Sequence, residues 1–201
     1  MYKITVFLKS RLLKTMVCIA SFMLFISACS PANMVKKDDH FNIMTVKPDQ
    51  GKAALIIART TSFGGAINFF TYLDRKLIGI TRGKSCFVKN NIDPGQTYLI
   101  ARTESLETGK IHFEPDTIYY VQQTPRLGWV VARVSLSPES PEHLSSEIGE
   151  GGCELYELDA NDPGEDLTDH EYNEAVTDYE REISEGFHKE FTEYKGFKAK
   201  P

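Results

Sequence analysis

From Lys52 onward the chain alternates between short apolar runs and turn residues, a pattern that predicts β-strands. Residues 53–59 form a nearly unbroken apolar run, as a strand covered on both faces requires. Residues 66–73 alternate, with Ile67, Phe69, Thr71 and Leu73 on one face. Asp74-Arg75 turns this run into residues 76–80 as a hairpin. Residues 85–90 follow and place Cys86 and Val88 together. Asp93-Pro94-Gly95 is the strongest turn signal in the chain, because proline fixes φ and glycine accepts positive φ. Runs at 96–104, 110–113, 117–123 and 128–136 complete the set; in the last, Val130, Ala132, Val134 and Leu136 share a face, with Trp129 and Val131 on the other. About eight strands at this spacing predict a mainly β fold, an antiparallel β-sandwich over residues 52–137.

Beyond Ser137 the period changes. Residues 138–167 are rich in Pro, Gly, Ser and acids and read as an acidic linker with one short helix at 141–148. Thr168 and Glu171 have the spacing of a capping box. Tyr172, Val176, Tyr179, Ile183, Phe187, Phe191 and Tyr194 then recur at steps of three and four, one apolar stripe on a C-terminal amphipathic helix over 168–195. Gly186 weakens its middle by roughly 1 kcal/mol relative to alanine. The stripe either packs on the sheet of its own chain or offers a partner-binding face made by Tyr172, Val176, Tyr179, Ile183, Phe187 and Phe191. Its acidic polar side argues against a role on a membrane surface.

The N-terminus has a third pattern. Lys3, Lys9, Arg11 and Lys14 precede an apolar run from Met16 to Ala28 that ends in Ile26-Ser27-Ala28-Cys29. A charged start, a short apolar middle and small residues at the cut read as a secretory signal peptide over residues 1–28. The run is about 13 residues, short of the roughly 18–20 that span a bilayer. A cut before cysteine resembles the lipobox of bacterial lipoproteins. That resemblance implies a diacylglycerol on Cys29 and membrane anchoring by several acyl chains, since one chain binds only marginally. Ser30 stands where Asp would retain such a protein in the inner membrane, which implies the outer membrane, facing the periplasm. Residues 29–51, with Pro31 and Pro48, read as a tether.

Within the β region the order "KAALIIAR", "FFTYLDRKLIGI", "DPGQTYLIAR", "PDTIYYVQQ", "GWVVARV" is similar to the bacterial lipoprotein domain known as domain of unknown function 2846. The likeness covers about residues 52–136 and rests on the aliphatic pattern, Pro94-Gly95 and Tyr119-Tyr120-Val121. It implies a β fold and an envelope location and carries no activity and no functional residues.

Charge and cysteines add two expectations. Residues 29–138 hold 14 Lys/Arg against 9 Asp/Glu, and residues 139–201 hold 5 against 19, so the two parts attract. The basic part has no aromatic-interleaved stripe, and an exported chain meets no nucleic acid. With Cys18 leaving in the leader and Cys29 lipidated, Cys86 and Cys153 remain as a pair for a disulfide in an oxidising compartment.

Motifs for chemistry are scarce. The five histidines lack zinc spacing, and there is no HExxH, no Gly-x-Ser-x-Gly and no phosphate loop. Residues 159–166 resemble a calcium loop only loosely, with Pro163 where a ligand belongs. The expectation is therefore no cofactor, no metal, no catalytic residue and no enzyme. The chain reads as a lipid-anchored envelope protein whose β domain is structural or binds an envelope protein partner. Two alternatives stand beside it. One is a cell-wall glycan or small-ligand module, with exposed aromatics and Arg102, Arg126 or Arg133. The other is an unrecognised hydrolase.

Overall fold

The computed structural model describes residues 33–127 and 132–199. The signal peptide, Cys29 and Trp129–Val131 lie outside the described residues.

Eleven strands, three α-helices and one 3-10 turn, Ile43–Thr45, are described. The strands are β1 Met34–Phe41, β2 Ala53–Ala58, β3 Phe69–Leu73, β4 Lys76–Thr81, β5 Ser85–Ile92 and β6 Gly95–Arg102. They continue as β7 Leu106–Phe113, β8 Thr117–Leu127, β9 Ala132–Glu139, β10 Cys153–Leu158 and β11 Phe197–Lys198. The helices are α1 Pro141–Ile148, α2 Asp169–Ser184 and α3 Lys189–Glu193. A seven-stranded sheet runs β1-β10-β5-β2-β8-β11, with β9 also on β8; a four-stranded sheet runs β4-β3-β6-β7. The fold is mainly β, as the pattern predicts.

The pairing is not purely antiparallel. In the larger sheet β2 runs parallel to β8, and β10 parallel to β5. The burial of β2 gives the reason. Ala53, Leu55 and Ile57 face a cluster shared with the smaller sheet, through Phe69, Leu99, Ile111 and others. Ala54, Ile56 and Ala58 face a second cluster with Ile43, Val46 and Leu144. A strand covered on both faces takes the interior position where parallel neighbours are tolerated. Gln123 ties the sheets through buried hydrogen bonds: its Nε2 donates to Thr71 (2.9 Å), and its Oε1 accepts from Thr81 (2.5 Å).

Three expected boundaries change. Within the expected tether, residues 34–41 are β1, paired to β10, and Ile43 and Val46 are buried. Within the expected linker, residues 153–158 are β10, an interior strand; α1 occupies the span expected for a short helix. The opposed charges of the two segments meet, with Lys36 Nζ on Glu154 at 2.7 Å and Lys37 Nζ on Glu157 at 3.3 Å. The single helix over 168–195 is two helices. The capping box at Thr168 and Glu171 starts α2, but Gly186 at φ 94° and His188 at φ 53° break it before α3. Glycine takes that turn without steric cost and removes the helix preference that would carry the chain through.

α2 lies across the outer side of the smaller sheet. Arg102 Nη1 donates to Glu171 (2.8 Å), while Lys110 Nζ and Tyr98 Oη both donate to Glu180 (2.6 Å each). Each pair joins the basic part of the sequence to its acidic part. Tyr194 secures the end of the chain, accepting from the Tyr120 amide at 2.8 Å and donating to the Glu139 carbonyl at 3.0 Å.

Candidate functional site at one end of the sheets

Strand direction sorts the loops into two ends. Register pairs Met34 with Leu158 at one end and Phe41 with Cys153 at the other. Glu154 lies beside Ser85, Cys86 beside Ala58, and Ala58 beside Gln122. The end away from Met34 therefore collects the loop after β2, the turn before β5 and the far part of β8.

The loop after β2, residues 59–68, is built around Arg59. Its side chain is 0% exposed. Nη1 donates to the Ile67 carbonyl at 2.9 Å and Nη2 to the Phe63 carbonyl at 2.6 Å, and the guanidinium lies 4.1 Å from the Phe69 ring. Burial, and then the neighbouring charge of Arg82, pull its pKa down to about 10, so it stays charged at neutral pH. A charge out of water is costly unless hydrogen bonds replace hydration, and here loop carbonyls serve Nη1 and Nη2 while Nε is left without a partner among the described residues. The clamp leaves Phe63 53% and Ile67 37% exposed. The next loop packs backbone to backbone: a Cβ on Gly83 would lie 3.1 Å from the Cα atoms of Gly65 and Ser62. Lys84 is exposed beside this contact.

A polar cleft adjoins. A Cβ on Gly64 would touch Pro125, one residue before Arg126. Arg126 and Arg133 are register partners on β8 and β9. With Glu107, Glu182, Val134 and Ser135 they line a cavity of about 320 Å³. A smaller cavity of about 110 Å³ shares Glu107 and Glu182 and reaches Thr108, Tyr179 and His188. Burial raises the Glu107 carboxyl above the usual range, against the opposing pull of His188 and Arg126. His188 Nε2 stands 2.8 Å from Glu182, and its Nδ1 stands 3.7 Å from Glu190. The helix break at 185–188 places this ring, in a left-handed backbone conformation that a non-glycine residue seldom adopts.

The residues singled out from sequence are dispersed. Cys86 and Cys153 are joined in a disulfide, Cα–Cα 5.9 Å, inside the second cluster. The proposed partner-binding stripe is a correction, because most of it faces its own chain. Tyr179 and Phe191 are buried, and Tyr172, Val176 and Ile183 are half-buried. Tyr172 and Tyr179 meet Tyr98 edge-on at 6.3 and 6.1 Å. Phe191 fills the space that a side chain on Gly109 would take, with a Cβ there only 2.7 Å from its ring. Phe187 alone of the six is exposed, at 60%, where the helix breaks. Among the three arginines suggested for a ligand, Arg126 and Arg133 line the cleft, whereas Arg102 is paired to Glu171. Sequence reasoning missed Arg59, Phe63, Glu107, Glu182 and His188. Only the Gly64-Gly65 pair beside Phe63 carried a signal.

Asp159 and Asp166, from the loose calcium-loop segment, serve the chain itself. Asp159 accepts from the Asn161 amide, and Asp166 accepts from the Leu77 amide and Lys76. No family model matches the chain, and no curated protein or solved structure matches it.

Proposed function

We propose that this chain is a lipid-anchored bacterial envelope protein whose non-catalytic β domain binds a protein partner through the Arg59-clamped end. The two sheets are read as a β-sandwich of one mixed and one antiparallel sheet, related to the domain of unknown function 2846. The observation that carries the reading is the loop at 59–68. A fully buried arginine with no carboxylate partner among the described residues grips the backbone carbonyls of Phe63 and Ile67, whose apolar side chains stand in water. Rigid presentation of apolar contacts lowers the ordering cost of association.

Geometry favours this end for a second reason. β1 begins at Met34, five positions after Cys29 in the sequence. A lipid on Cys29 would hold the Met34 end against the bilayer. The Phe63 loop lies at the end of the larger sheet opposite Met34.

A photo-crosslinker placed at Phe63 in the full-length protein in living cells tests the reading, with one at Phe187 for comparison. Capture of the same protein from Phe63 alone, lost in Ile67→Ser, supports it. No capture at Phe63, or equal capture at both sites, removes it. Labelling with an alkyne-bearing fatty acid, present in the natural chain and absent in Cys29→Ala, tests the anchor separately. The glycan or small-ligand alternative finds Arg126 and Arg133 in the cleft but none of the exposed aromatic rings it calls for among the residues that line it. For a hydrolase, His188 has Glu182 on Nε2 at 2.8 Å, but no serine hydroxyl hydrogen-bonds a histidine ring among the described residues.

A further inference from the structure

We infer that the cleft between β7, β9 and the α2–α3 break binds a small zwitterion, a free amino acid or short peptide carrying one carboxylate and one ammonium. The site is distinct from the Phe63 loop and does not depend on a protein partner.

Its walls have opposite charge. On one, Arg126 and Arg133 lie directly opposite each other on paired strands. Like charges in that position repel and weaken the pairing. Neither makes an ion pair among the described residues, whereas Arg75, Lys76, Arg102 and Lys110 all do. A carboxylate between the two guanidiniums would accept from both and relieve the repulsion, by the charge-assisted bonding at which arginine excels.

The opposite wall is Glu107 and Glu182. Glu107 is half-buried on β7 and makes no hydrogen bond or ion pair through its carboxylate among the described residues. Its neighbours on the outer side of the same sheet are served differently, Glu171 by Arg102 and Glu180 by Lys110 and Tyr98. Glu182 also lines the cleft; its Oε2 meets His188 at 2.8 Å, and its Oε1 makes no hydrogen bond or ion pair among the described residues. An ammonium there would find two carboxylates. Partial burial strengthens such contacts over those in open water.

Elimination sharpens the class. A ligand with only negative charge would meet Glu107 and Glu182 unrelieved. One with only positive charge would meet both arginines. A neutral ligand would leave the arginine pair and Glu107 as they stand. Volume agrees, since about 320 Å³ lies at the small end of the usual ligand range of about 300–1,000 Å³. Val134 and Ser135, neighbours on β9, complete the lining with Ser105 and Leu106.

The test is calorimetric titration of the full-length protein in detergent with alanine and with alanyl-alanine. N-acetyl-alanyl-alanine, which lacks the ammonium, and alanyl-alanine amide, which lacks the free carboxylate, serve as blocked probes. Binding of alanine or alanyl-alanine with a Kd of about a millimolar or tighter, weakened about tenfold or more by either block, is expected. Arg133→Ala should restore near-equal affinity between alanyl-alanine and its amide. Glu107→Gln should do the same for the N-acetyl form. Both side chains are at the surface or half-buried, and thermal unfolding of each variant confirms that it folds. Phe63→Ser, outside the cleft, should bind both probes unchanged, so a failed partner proposal and a failed cleft proposal are told apart. No heat from either unblocked probe with folded protein, equal binding of blocked and unblocked forms, or unchanged selectivity in both variants would overturn the inference.

Discussion

The two ends of the sheets handle charge in opposite ways. At the Met34 end nearly every charge is taken up by the chain. Lys52 pairs with Asp93, Arg75 with Asp169, Lys76 with Asp166 and Lys198 with Glu114. Carboxylates there also cap backbone amides: Asp116 that of Gly51, Asp74 that of Tyr98 and Asp166 that of Leu77. At the Phe63 end Lys84, Arg126 and Arg133 have no ion pair among the described residues, Arg59 is held charged by two carbonyls and the Phe69 ring, and Phe63 is exposed. The chain pairs its charges more fully at the Met34 end than at the Phe63 end, where His188 pairs with Glu182 and Glu104 accepts from the Ala132 amide.

The contrast can be broken from the Phe63 end. The disulfide sits just behind the Lys84 turn and closes a separation of 67 residues. Cys86→Ser with Cys153→Ser should cost about 4 kcal/mol by the loop-entropy relation, read as a lower midpoint in urea. Hydrogen exchange should then rise around Lys84 before it rises around Lys52. Arg59→Met should cost about 2 kcal/mol, since the Phe63 and Ile67 carbonyls lose their donors. Trypsin-independent cleavage between residues 60 and 68, by chymotrypsin at Phe63, should appear in that variant while the Met34 end stays resistant.

Smaller effects sharpen the comparison. Gly109→Ala should cost about 1–2 kcal/mol, because its Cβ would collide with the Phe191 ring. Limited proteolysis should then release the segment after α2. Acid should act in opposite senses on two sets of carboxylates. Asp166, Glu171 and Glu180 are held below their ordinary values by backbone and side-chain hydrogen bonds. Their folded forms bind fewer protons, so their stabilisation is present above the ordinary range and is lost as pH falls through the lowered values. Glu107 is raised by burial, so its favourable contribution is present below its ordinary value of 4.5 and is lost as pH rises through the raised one. Urea midpoints from about pH 3 to 7 should therefore show Glu107→Gln gaining on the natural chain as pH rises. The smallest stability change belongs to Phe63→Ser, within about 0.5 kcal/mol, although partner capture should disappear.

How far the fold is legible from sequence differs by element. The runs at 53–59, 76–80, 85–90 and 117–123 are strands close to their expected bounds, because each carries enough apolar side chains to declare a buried face. β1 escaped notice: of Met34–Phe41 only Met34 is buried, and six residues in a row are exposed. Such a strand is held by backbone pairing to β10 and by Lys36 and Lys37 on the acids of β10, and none of this leaves an apolar period. The stripe of the C-terminal helix was visible, but its partner was not. Whether Tyr172 and Tyr179 face a stranger or Tyr98 depends on where α2 lands, and the Arg102–Glu171 and Lys110–Glu180 pairs are what hold it on the smaller sheet.

The sequence by itself determined the strand-rich class, the double-sided burial of β2, the start of α2 at Thr168 and the attraction between a basic first part and an acidic second part. These are properties of short windows or of summed charge, and local chemistry suffices for them. The tertiary structure alone decided that β1 and β10 join the larger sheet, that the apolar stripe is covered, and that Arg126, Arg133, Glu107 and Glu182 share one cleft. Those residues are separated by up to 75 positions, and no local propensity acts over that distance. Only strand register and the packing of α2 bring them together, because burial and pairing are settled by the whole chain at once.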